Sequence, residues 1–164
     1  KRHAARIAEW AHGKPFLFCH GNHDYIDPCP ILRDAGIDAR LLTQQTVEFG
    51  GLRFRGFPFI NPVGGWPYEL DEPEMRAEVE ALVGMTNVGE VDVWVCHAPP
   101  YGVLDAVRPG VHVGTVAMAD ALSYALYRFP RAYLCGHIHE ANGYALVLGV
   151  KISNAATGQR LIEV

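Results

Sequence analysis

Five residues at three places in the sequence carry side chains suited to holding a metal ion or moving a proton. They are Asn22 and His23 in His20-Gly-Asn-His-Asp24, His97 in His97-Ala-Pro-Pro100, and His137 and His139 in Gly136-His-Ile-His-Glu140. Neutral imidazole is the commonest metal ligand, and nitrogen and oxygen donors suit Mn, Fe, Zn or Ni without choosing among them. Each segment follows an apolar run that ends in a cysteine, at Cys19, Cys96 and Cys135. Short continuous apolar runs predict strands buried on both faces. One histidine at a strand end is ordinarily a polar loop residue. Three strand ends that repeat it argue for convergence, because ligands in layered α/β proteins sit outside the carboxyl ends of the strands.

The elements that must position these residues are legible in outline. Residues 1–12 read as a helix with Ala4, Ala5, Ile7, Ala8, Trp10 and Ala11 favouring one face, stopped by Gly13 and Pro15. A strand over Pro15–Cys19 and a short helix over Ile31–Ala35 follow. Thr46–Phe49 and Leu52–Phe57, joined by Gly50-Gly51, predict a β-hairpin. Pro58–Pro73 reads as a long loop rich in Gly, Pro and aromatic residues, and long ordered loops are often functional. Helices are predicted over Glu74–Val83 and Thr115–Phe129, strands over Val91–Cys96 and Arg131–Cys135, and a loop over Val103–Gly114. Closing strands are expected at Tyr144–Leu148, Lys151–Ser153 and Arg160–Val164. Strands that alternate with helices, then a terminal run of strands, define an α/β class in layers.

The 164 residues are the length of one domain, and 49% apolar with 20% charged residues is a globular composition. No apolar run approaches the ~18 residues of a membrane span, and the N-terminal residues show no secretion signal. A formal charge of −4 argues against long nucleic acid as a partner while allowing a small phosphate ester held through a metal. The four cysteines form no C-x-x-C pair, and three end apolar runs. They read as small buried thiols in a reducing compartment, which places the expected location in the cytoplasm.

The three segments, in this order and spacing, resemble those of the calcineurin-like metallophosphoesterases. The stretches His97–Asp105, Gly136–Tyr144 and Ser153–Thr157 are similar to the branch of metallophosphoesterase-domain-containing proteins akin to class III cyclic-nucleotide phosphodiesterases. That resemblance implies a four-layer α/β/β/α sandwich and a centre of two divalent transition metals, with Mn favoured. Carried over, Asn22, His97 and His137 would hold one ion and His139 would help hold the other. His23 would act at the substrate phosphate as general acid, and Asp24 would hydrogen-bond and orient His23. The implied activity is hydrolysis of a small phosphate ester, most readily a phosphodiester, by a metal-activated water.

The family pattern opens with a D-x-H turn and a G-D turn that this sequence lacks. The resemblance therefore implies a single, incomplete domain over 1–164 without its first strand-helix-strand unit. One ion would keep only His139, and an apolar sheet face would be left uncovered. A chain that continues upstream, a partner polypeptide that supplies the unit, and a protein that has shed catalysis all fit. Weak or absent turnover is expected for this chain alone. The alternative is a non-catalytic metal-binding or protein-interaction module on the same fold.

Around the site, Phe57, Phe59, Trp66 and Tyr68 are either core or a stacking wall for a base or aryl group. Arg53 and Arg55 alternate onto one strand face, expected to be exposed, with phosphate binding as the alternative. His20 reads as a surface or packing residue, with support of the adjoining site as the alternative, His112 reads as a loop residue, and Asp105 has no role readable from the sequence. No G-x-S-x-G elbow, H-E-x-x-H or P-loop is present. A cysteine nucleophile at Cys19 or Cys96 is disfavoured because the adjacent histidine points to the opposite face of the strand.

Overall fold

The computed structural model describes residues 6, 7, 9, 11, 13–84, 91–124, 130–158 and 161–164. Its main feature is a six-stranded sheet built from β3 (Val47–Phe49), β4 (Leu52–Phe57), β5 (Val93–Cys96), β8 (Ala132–Cys135), β9 (Gly143–Val147) and β10 (Val150–Asn154). The spatial order is β3-β4-β5-β8-β10-β9. The four central strands are parallel and the two edge strands antiparallel. Parallel neighbours need a crossover, and these are supplied by α2 (Glu72–Gly84) and α3 (Val116–Tyr124). Both helices pack on one face of the sheet. Met75, Val79 and Leu82 of α2, with Ala117, Met118 and Leu122 of α3, meet Phe57, Trp94, Tyr133 and Ile152.

A second, smaller layer pairs β1 (Phe16–Phe18) with β2 (Ala39–Leu41) in parallel, linked by α1 (Cys29–Asp34). Cys29, Leu32, Ile37 and Ala39 form its core, with Ile7, Ala11, Phe16 and Phe18 packed against them. Ile7 and Ala11 support the predicted apolar face of the first helix, while Ala4, Ala5, Ala8 and Trp10 lie outside the described residues. The segment that follows β2 lies directly against β4: the Gly56 N–H donates to the Thr43 carbonyl at 2.8 Å. A Cβ on Gly56 would stand 2.4 Å from the Leu42 carbonyl oxygen, so only glycine allows this approach.

Local chemistry accounts for the boundaries. Gly50 and Gly51 have φ of 59° and 76°, the primed turn that a two-residue hairpin requires. Helix α2 starts two residues earlier than predicted because Asp71 and Glu74 form a reciprocal capping box. The Glu74 N–H donates to Asp71 Oδ1 at 2.9 Å, and the Asp71 N–H to Glu74 Oε2 at 3.1 Å. The other end of α2 receives the Arg55 guanidinium, which donates from Nη1 to the Leu82 carbonyl at 2.7 Å and from Nε to Thr46 Oγ1 at 2.9 Å. Arg55 is only 6% exposed, which corrects its assignment to an open strand face. A cation among the last carbonyls of a helix satisfies groups that have no intrahelical donor. Arg53, half-buried on the same face, donates to Asp92 at 3.2 Å.

Two further expectations are corrected. The stretch read as a loop contains a small hairpin of β6 (Ala106–Arg108) and β7 (Val111–His112). Residues 161–164 form no strand, and Arg160 lies outside the described residues. Toward β9, the sheet face opposite the two helices shows apolar side chains to solvent, with Tyr144 50% and Leu146 65% exposed.

Candidate metal centre

The three motifs meet at the carboxyl ends of β1, β5 and β8. The ladder continues beyond the strands: the His97 N–H donates to the Phe57 carbonyl at 2.8 Å, and the Gly136 N–H to the His97 carbonyl at 3.0 Å. These bonds set the His97 and His137 turns side by side, with ring centroids 4.8 Å apart. From the smaller layer, Asn22 reaches the same point, and His97 Nε2–H donates to its Oδ1 at 2.9 Å. The His97 ring lies directly over Gly21, where a Cβ would come within 2.3 Å of it.

His137 has φ of 67°, a left-handed conformation that a non-glycine residue holds only where its surroundings demand it. Asn154, fully buried, supplies part of that demand. Its Nδ2 donates to the Ile138 carbonyl at 2.8 Å and the Leu104 carbonyl at 3.0 Å, and its Oδ1 accepts the Ala156 N–H at 2.9 Å. Sequence reasoning noted Ser153–Thr157 only as a likeness. Its signal in the sequence is an amide side chain at the end of a strand, Asn154 closing β10.

Burial, the neighbouring His137 and the nearby His23 push the His97 pKa down to about 4, against the opposing pull of Asp24. Burial, with His139 and His23 nearby, lowers that of His137. Both imidazoles are therefore neutral at pH 7 and have lone pairs to offer. An amide oxygen beside two neutral imidazoles fits one divalent ion, which would displace the proton now shared by Asn22 and His97.

The residues do not fit two ions. His139 and His23 are exposed, and among the described residues no three His, Cys, Asp or Glu side chains gather at one point. The His23 ring packs edge-on against Trp66 at 4.5 Å. The Asp24 carboxylate accepts the Gly21 N–H at 2.8 Å, so it braces the turn instead of orienting His23 as expected.

The remaining candidates resolve as follows. Phe57 is core, while Phe59 is only partly buried. His20 shares a 2.5 Å hydrogen bond with the Tyr68 hydroxyl through Nδ1, and its Nε2 is shut off from solvent without a partner. Burial pushes the Cys19 thiol up to about 12 and Cys96 well above its ordinary value, so neither supplies a thiolate at neutral pH.

Asp105 gains a structural role. It is 1% exposed and accepts three donors: Gly102 N–H at 3.0 Å, Gly114 N–H at 2.9 Å and His112 Nδ1 at 2.6 Å. These bonds close the loop that follows His97. The variant Asp105→Ala, which leaves those donors without an acceptor, is expected to lose about 2 kcal/mol of stability. Urea denaturation measures the loss, and an unchanged midpoint would refute the role.

With this geometry in place, the architecture is that of the calcineurin-like α/β/β/α metallophosphoesterase sandwich, a mixed sheet core flanked by helices. A solved crystal structure superposes with a TM-score of 0.64 over 94% of this chain and 61% of its own, at 18% identity. At that identity the likeness shows the fold. Among curated proteins, UPF0046 protein T07D4.2 of Caenorhabditis elegans is 28% identical over 112 residues, covering 68% of this chain and 26% of the relative. Metallophosphoesterase domain-containing protein 1 of Homo sapiens is 30% identical over 103 residues, covering 62% of this chain and 30% of the relative. The matched region is thus less than a third of either relative's length. No family model matches the chain. The partial homology and the shared fold support membership at the level of the metallophosphoesterase superfamily.

Proposed function

We propose that this chain carries the metal-binding edge of a phosphoester hydrolase and holds one divalent transition metal, Mn before Fe, Zn or Ni, through Asn22, His97 and His137. The observation behind this reading is the meeting of those three neutral donors at three strand ends. Bound there, such an ion supplies Lewis-acid activation of a phosphoryl oxygen.

The chain's own residues do the rest. His23, exposed beside the centre and steadied by Trp66, hands a proton to the leaving alkoxide. Asp24 holds the turn that carries His23 through the Gly21 N–H. His139, on the short 3₁₀ turn His139–Ala141, is available to a second ion when further ligands are supplied. The substrate is a small phosphate ester, most readily a phosphodiester. Among the described residues no helix is long and apolar enough to cross a membrane. The four free cysteines agree with a reducing compartment such as the cytoplasm.

Metal analysis after Mn²⁺ loading and desalting, with hydrolysis of bis(p-nitrophenyl) phosphate, tests the proposal. Close to one ion per chain and weak turnover are expected. Two retained ions with full turnover would overturn the one-ion site. No retained metal would favour the second reading, a protein-interaction module, which the exposure of His23 and His139 also suits.

A further inference from the structure

We infer that the cavity beside His20 is a subsite for the aromatic alcohol portion of a phosphoester, an aryl ring or a nucleobase. Its link to the metal centre rests on the phosphoesterase reading; the cavity itself does not. The space measures about 380 Å³, and its walls include His20, Leu41, Leu42, Thr43, Phe59 and Tyr68. That volume lies toward the small end of the range for ligand sites and suits one or two fused rings.

Three of the lining residues, His20, Phe59 and Tyr68, carry aromatic rings, and they are held in place. The Tyr68 ring stands 5.5 Å from His20 and 6.2 Å from Phe59. Its hydroxyl is tied to His20 Nδ1 at 2.5 Å. Tyr68 also has φ of 65°, a left-handed conformation that a bulky residue adopts at a cost and that clusters at ligand sites. Among the described residues no Asp, Glu, Lys or Arg lines the cavity, so it offers an uncharged ring no fixed charge to compete with.

The location links this ring site to the metal centre. His20 is joined directly to Gly21, and the His97 ring covers Gly21. The turn His20–Asn22 thus borders the cavity at His20 and the centre at Asn22, and an ester that fills both would place its phosphate at the centre and its alcohol portion in the cavity. The alcohol would stack there on Phe59 and Tyr68.

Calorimetric titration of the full chain with 1-naphthol and adenosine, without metal, tests the subsite. At least one should bind, and the tighter shows whether an aryl ring or a nucleobase is preferred. Phe59→Ala should weaken that binding roughly 5- to 150-fold, the span expected for loss of one stacking partner. Thr43→Trp, at an exposed position, should plug the cavity without disturbing the core, as an unchanged melting temperature would verify. No ring binding by the folded chain, or binding indifferent to both substitutions, would overturn the subsite.

The link is read separately with 1-naphthyl phosphate and Mn²⁺. Tighter binding than naphthol, lost in His97→Ala while naphthol binding persists, supports it. Ring binding to which phosphate and metal add nothing would overturn the link and leave the subsite standing.

Discussion

The variant His97→Ala is expected to retain no Mn²⁺ after desalting, an affinity loss of at least about 100-fold, because residues that merely support metal ligands already cost 10- to 100-fold when removed. His97 sits at the middle of the site, bonded to Asn22 on one side and against His137 on the other. Alanine removes one donor and also leaves the two others without their common neighbour. Secondary structure should survive, since the ladder bonds at position 97 come from its backbone.

Acid should act on the same site. A proton competes with the ion for each imidazole lone pair. The depressed pKa values mean that competition begins below the ordinary histidine value of about 6.5. Loading should therefore hold as pH falls past 6.5 and fail toward 4, where His97 takes up its proton. Metal retained in full by His97→Ala, or loading lost already near pH 6.5, would count against this centre.

The second large effect lies outside the site. The variant Gly56→Ala is expected to lose about 3 kcal/mol or more of stability, the upper end for overpacking, with the melting temperature falling by roughly 6–12 °C. The new methyl would stand 2.4 Å from the Leu42 oxygen and 2.6 Å from its carbonyl carbon, both backbone atoms that cannot rotate away. Gly36→Ala is the control. Gly36 has φ of 83° with nothing within 4 Å of the added carbon, so it tests backbone strain alone at about 1–2 kcal/mol. Equal losses in the two variants would mean that the Leu42–Gly56 approach does not hold the layers together.

The elements that carry the site were readable because they are continuous apolar runs ending in polar turns, a pattern that needs no partner to be seen. The Gly50-Gly51 hairpin was readable for a similar reason: its signal lies in two adjacent residues. What escaped notice depends on distant contacts. Arg55 looked solvent-facing because its acceptors, Thr46 Oγ1 and the Leu82 carbonyl, lie 9 and 27 positions away. Strands β2, β6 and β7 span only two or three residues, too few to show a period of two. Asp105 and Asn154 were opaque because each joins loops that only the fold brings together. At the centre, residue types announced the donors, but sequence order could not tell that Asp24 turns back to Gly21.

The donors also come from different bodies. Asn22 follows β1 in the two-stranded layer, whereas His97 and His137 follow strands of the six-stranded sheet. An ion held by all three is thus a cross-brace between independently built halves, and its binding energy becomes cohesion between them. At 100 times the dissociation constant, that coupling adds about 2.7 kcal/mol to the intact arrangement. Amide protons of Phe16–Phe18 and Ala39–Leu41 would then exchange more slowly as metal is added, and Gly56→Ala, which loosens the same junction from the far side, would melt higher in Mn²⁺ than without it.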